Sequence, residues 1–165
     1  MFVTVENFIE EYREETKLTQ KLLDSLTDDS LKQEVAPGYR TLGFLAWHLV
    51  PSGGILHQVD LRFDTPTKSA EAPESAVAIA RAYRSAAQAV MDTVRSQWTD
   101  EKLQEPVSIF GQQWKNGFVL DMFLRHEVHH RGQLTLLMRQ AGLPITGVYG
   151  PSKEEWEQMG MKAPV

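Results

Sequence analysis

Five histidines carry most of the chemistry this chain can offer: His48, His57, His126, His129 and His130. There is no cysteine, which excludes disulfides, thiolate metal ligands and cysteine nucleophiles together. His, Asp and Glu are left to hold any metal. His126 and His130 are four apart, so at ~100° per residue they lie ~40° apart on one helical face. That spacing lets two imidazoles converge on one ion. Both stand where a helical stripe is otherwise apolar, and so does His48, between Leu45 and Ser52. A lone core histidine is ordinarily a neutral, hydrogen-bonded group. Three pointing inward from two helices are harder to satisfy, because each unpaired buried polar group costs roughly 1–3 kcal/mol. One divalent cation satisfies all three. Three histidines also leave an open position for water or substrate.

The other polar candidates divide by angle. His57 is half a turn away from His48 and is expected at the surface, unless Pro51 and Gly53-Gly54 rotate it. His129 lies ~60° from His126 on the side away from His130. That puts it at the rim, facing a ligand histidine or a substrate rather than binding the ion. Gln133 is placed either to hydrogen-bond a ligand histidine and fix its tautomer or to face solvent or an interface. His126-Glu127-Val128-His129-His130 also matches H-E-x-x-H, in which the Glu is the general base of a metalloprotease. The extended protease form needs Gly three residues on and another His beyond it. Gln133 takes that Gly place and no histidine follows His130. A carboxylate third ligand would have to come from Glu154, Glu155 or Glu157, in a tail expected to be mostly loop. Peptidase activity is disfavoured.

Helices must position these groups. Val5, Phe8, Ile9, Tyr12, Leu22, Leu23 and Leu26 give helical spacing over residues 5–26, with a polar middle at Glu15, Thr16 and Thr19. That middle either tilts to solvent or meets something polar inside the protein. Thr41 is an N-cap for a second helix running to Val59, with a kink or a brief break expected near Pro51 and Gly53-Gly54. Residues 63–74 read as a polar loop. Residues 74–97 carry an alanine-rich helix, and 98–117 a long connection with one short hairpin. Residues 118–140 form the histidine-bearing helix, with the inner stripe Val119, Met122, Phe123, His126, His130, Leu134, Leu137. Gly142 and Pro144 stop it. Ser152 can cap a short final helix. Four long helical segments point to an all-α four-helix bundle.

Composition narrows the setting. The 165 residues suit one domain spanning 1–165, with 42% hydrophobic residues to build a core. Seventeen Lys+Arg against 22 Asp+Glu leave a net charge of −5 with no basic run, so nucleic acid is a poor partner. No apolar run approaches the ~20 residues of a membrane span. The start, MFVTVENFIEEYREE, turns acidic where a signal peptide stays apolar, so a cytoplasmic protein is expected.

FLAWHLV around His48, together with LRHEVHHRGQLTLLMRQAGLP, resembles the DinB family, also called DinB/YfiT-like metalloenzymes. The resemblance spans essentially the whole chain, and HHRGQ is its most specific part. It implies a four-helix bundle of up-down-down-up topology, commonly a homodimer. It also implies a divalent metal, often zinc or nickel, on three histidines, which carry over to His48, His126 and His130. Related members use low-molecular-weight thiols such as bacillithiol, mycothiol or glutathione. Glu127 departs from the small or neutral residue expected beside the first ligand. At ~100° round the helix it faces a neighbour or solvent.

The resulting expectation is a metal-dependent enzyme that transfers a small thiol to a small electrophile. With no cysteine in the chain, the thiol comes from outside. Metal-dependent hydrolysis, with Glu127 or His129 as proton acceptor, is the second reading. A metal-binding bundle without turnover is the third. Glu15, Thr16, Thr19 and the 98–117 connection are expected at the mouth of the site. Trp47, Trp98 and Trp114 are candidates for its lining or for the core. Arg125 and Arg131 are candidates for a substrate carboxylate or for the dimer partner.

Overall fold

The computed structural model describes residues 1–65 and 71–164, so the expected loop at 63–74 lies partly outside the described residues. The fold is mostly helical. In chain order it runs α1 (Val5–Leu23), a 3-10 turn (Ser30–Lys32), α2 (Leu42–His48), α3 (Gly54–His57), α4 (Ala76–Gln97), α5 (Asp100–Gln104), β1 (Pro106–Ile109), β2 (Gln112–Lys115), α6 (Asn116–Gln140) and α7 (Lys153–Gln158). No helix among the described residues is long and apolar enough to cross a membrane.

Side-chain caps start most of these helices. Thr4, Thr41, Ser75, Thr99 and Ser152 each accept a hydrogen bond from a first-turn backbone N–H. Ser152 and Glu155 close a full capping box on α7. The alanines of α4 at 76, 80, 86 and 87 are buried, and they let α4 pack closely along α1. α6 is the longest helix, about 37 Å at 1.5 Å per residue. It touches α1, α2, α3 and α5, and so gathers the others around it.

One connection differs from the sequence expectation. The stretch 98–117 contains α5 as well as the hairpin, which makes the structure more than purely α. β1 and β2 pair antiparallel from Pro106↔Lys115 to Ile109↔Gln112. Phe110 and Gly111 both have positive φ, 51° and 76°, the signature of a type I′ turn. The second expected helix breaks outright between His48 and Gly54. Pro51 cannot donate to the ladder, and Gly53 sits at φ 96°, ψ −72°, where side-chain-bearing residues are strained.

Candidate metal centre and its cavity

His48 ends α2, and His126 and His130 sit one turn apart on α6, which α2 packs against. Their rings form a compact triangle, with centroids 5.2 Å (48–126), 4.5 Å (48–130) and 4.4 Å (126–130) apart. Nε2 of His48 lies 3.0 Å from Nε2 of His126, and one nitrogen from each of the three lies within 4.8 Å of the others. Ligand nitrogens at ~2.05 Å from a tetrahedral zinc stand about 3.3 Å apart. The cluster therefore fits one divalent ion. At His48 and His126 the neutral imidazole that a metal needs is favoured. Partial burial, then the other two rings, lower the His48 pKa to about 4. Burial, then His130 and His129, also lower that of His126.

Gln133 bridges two of the rings. Its Oε1 is 2.8 Å from His130 Nδ1, and its Nε2 is 3.1 Å from His129 Nε2. With the amide oxygen on the His130 side, the matching tautomer of His130 carries its proton on Nδ1. Its Nε2 is left bare toward the cluster. His129 is exposed, with its ring 5.0 Å from that of His130. It reaches the cluster through Gln133. On the other flank the Phe44 ring stacks parallel to His48 at 6.0 Å, and Arg40 lies over Phe44.

The histidines are less inward than their stripe implied. Only His130 is buried; His48 and His126 are exposed. The true core face of α6 runs through Leu120, Leu124, Glu127, Arg131, Leu134 and Met138. It lies about 100° round from His126, and two charged residues at its centre hide it from a hydropathy reading. The cluster thus opens to solvent along the edge of the core. A cavity of about 290 Å³ adjoins it, lined by His48 and His126, the Leu49–Ile55 break, Met122, Phe123 and Glu127.

Glu127 faces a neighbour and not solvent. It is 4% exposed, and its Oε1 accepts from Thr19 Oγ1 at 2.7 Å and Tyr83 OH at 2.5 Å. Burial raises its pKa against those two hydrogen bonds and the nearby Arg131. Arg131, 1% exposed, bonds the Glu15 carboxylate, the Glu15 carbonyl, Thr19 Oγ1 and Tyr149 OH. It binds within this chain and is not presented to a substrate or a second copy. The polar middle of α1 accordingly meets polar groups inside the protein.

Other expectations are corrected. The 98–117 connection, Glu15, Thr16 and Thr19 are not in the cavity wall, which the Leu49–Ile55 break supplies instead. His57 is half-buried and not fully at the surface: its ring meets Phe63, and its Nε2 is buried without a hydrogen-bond partner among the described residues. Trp98 is core, and Trp47 and Trp114 pack against it. Arg125 pairs with Asp121 one turn back on α6 and stays exposed, which leaves its expected roles open. Glu154 pairs with Arg139, Glu155 caps α7 and Glu157 pairs with Lys153, so the tail carboxylates of the protease reading are engaged elsewhere. No sequence signal ties Glu15 to Arg131 across more than a hundred residues.

Residues 1–162 match the DinB family. This chain belongs to the DinB family. It is 47% identical over 165 residues to the uncharacterized protein YrdA of Bacillus subtilis strain 168, covering 99% of each chain. A crystal structure of a DinB-like protein from Bacillus cereus ATCC 10987 superposes with a TM-score of 0.86 at 45% identity, over 90% of this chain and 100% of that one. A second DinB-like structure, YjoA of Bacillus subtilis, shares the fold at a TM-score of 0.65 and 19% identity, over 84% and 96% of the two chains.

Proposed function

We propose that this DinB-family protein is a cytoplasmic metal-dependent enzyme that joins a low-molecular-weight thiol to a small electrophile, with His48, His126 and His130 as the metal ligands. The observation that carries the reading is the three-histidine cluster opening onto a mostly apolar cavity in a chain with no thiol of its own. A divalent cation, zinc or nickel, would supply Lewis acidity there and lower the pKa of a thiol or water beside it. The chain's own residues do the rest. Gln133 presents the bare Nε2 of His130, and His48 is steadied by Phe44. Met122, Phe123 and the Leu49–Ile55 wall exclude water from an electrophile. We read residues 1–165 as one domain, a four-helix bundle of up-down-down-up topology in which α2 and α3 together form one broken limb. We also propose that it works as a homodimer, for which light scattering at micromolar concentration should give twice the mass of one chain.

The test is an assay of metal-loaded protein with bacillithiol, glutathione or mycothiol against monochlorobimane. Turnover should be abolished in His48→Ala. Glu127 beside His126 in the same cavity supports hydrolysis as the second reading, with Glu127 or His129 taking the proton. Silence with every thiol and turnover of an ester or amide panel would replace the first reading with the second. Silence in both panels with metal bound would favour a non-catalytic bundle.

A further inference from the structure

The cavity beside the histidines has an apolar wall and one buried acidic floor group. Leu49, Val50, Pro51, Ile55, Met122 and Phe123 make the wall, and Glu127 borders the floor. Both hydroxyls that hold Glu127 reach the same oxygen, Oε1. The donor sense of one is fixed from behind. Arg131 can only donate and bonds Thr19 Oγ1, so the Thr19 hydroxyl hydrogen is free to point at Glu127. Glu127 lines the cavity, and no hydrogen bond from a described residue reaches its second oxygen, Oε2. An acceptor beside apolar side chains gains free energy when a donor meets it. The Tyr12 hydroxyl is also buried without a partner, and its ring lies 5.4 Å from that of Phe123 in the cavity wall.

We propose that Glu127 selects the ligand of this cavity: a small molecule with an apolar, ring-sized body and one O–H or N–H donor that bonds Glu127 Oε2 while the body lies along the Met122–Phe123 wall. This inference rests on the reading of the cavity as the substrate site of the metal centre. It makes Glu127 a specificity-determining residue. It also predicts an inversion. In Glu127→Gln, Thr19 and Tyr83 keep donating to the amide oxygen, so the amide NH₂ turns to the cavity and the floor becomes a donor.

A matched pair of probes tests this. 1-Phenylethanol donates and acetophenone only accepts, on one carbon skeleton. Binding is followed by the Met122 methyl resonance in protein labelled at its methionine methyls, with the other five methionines as internal controls (6 Met in all). Wild type should prefer the alcohol by roughly tenfold, about the worth of one hydrogen bond. Glu127→Gln should prefer the ketone. Elemental analysis of the same samples separates the two readings. The alcohol preference without bound metal would remove the metal centre and keep the floor, whereas bound metal with equal affinities would do the reverse. The proposal is overturned by equal affinities in wild type or by a Gln variant that still prefers the alcohol. Failure of both probes to move Met122 at about 10 mM, the range expected for so few ligand atoms, also overturns it. If Glu127→Gln does not fold, the wild-type comparison decides alone.

Discussion

Gln133 joins His130 and His129 through its two amide atoms, and with its oxygen on His130 Nδ1 it favours the tautomer whose Nε2 is bare. Gln133→Leu frees His130 to protonate either nitrogen. Divalent-metal affinity should fall by about 10–100-fold, measured by competition with a chromogenic chelator, while the fold is kept. His48 gives a second prediction, for the metal-free protein. Its pKa in the folded state is about 4, against an ordinary imidazole value near 6.5 in the unfolded chain. Between those values the unfolded chain binds a proton that the folded chain refuses. Stability should therefore fall as the pH drops from about 6.5 and level off below about 4, as far as this group is concerned. Urea midpoints at about pH 7.5 and 4.5 should differ more for wild type than for His48→Leu. An equal difference in both proteins would remove His48 from the account.

The break between α2 and α3 is the element that shapes the cavity, and Gly53 is its pivot. A Cβ at Gly53 would come within 2.1 Å of His57 Cε1, and its φ of 96° is strained for any L side chain. Gly53→Ala should cost about 1–3 kcal/mol, seen as a Tm lower by roughly 2–4 °C for each kcal/mol. It should also shift the Met122 methyl resonance as the wall moves. The break itself was legible, since Pro51 and Gly53-Gly54 interrupt a helical stripe. So were the starts of α2 and α7, because Thr41 and Ser152 cap them. The face of α6 was not. Hydropathy centred the stripe on His126 because Glu127 and Arg131 look like surface residues, and only α1 and Tyr83, distant in sequence, make them core. α5 was missed for a different reason: at five residues it shows no period, and only the Thr99 cap marks it. The clustering of His126 and His130 was legible because the i, i+4 spacing and their residue type survive an error of one position in the facing direction.

At the scale of the molecule, Arg131 is the point where three distant segments meet. It bonds Glu15 and Thr19 of α1 from its place on α6, and Tyr149 of the C-terminal segment closes over it, with the guanidinium carbon 5.1 Å from the ring centroid. Tyr149 OH completes the circuit by donating to Glu15 at 2.7 Å. The Arg131 and Glu15 side chains are 2% and 13% exposed, so solvent screens their attraction little. A buried pair need not stabilise the fold relative to apolar residues, but removing one member strands the other's charge. Arg131→Ala should therefore cost about 3–5 kcal/mol. At the usual scaling for a chain of this size, that is a fall in Tm of roughly 10 °C. The double replacement Glu15→Leu with Arg131→Met should recover most of the loss, since it removes both charges and keeps the volume. Tyr149→Phe removes a single hydrogen-bonding hydroxyl and should cost about 1 kcal/mol. Calorimetry on the four proteins separates an ion pair that holds the fold from one that is only costly to break. A double variant as unstable as Arg131→Ala would mean that the guanidinium's bonds to backbone and hydroxyl, and not the charge of Glu15, are what bind α1, α6 and the C-terminal segment together.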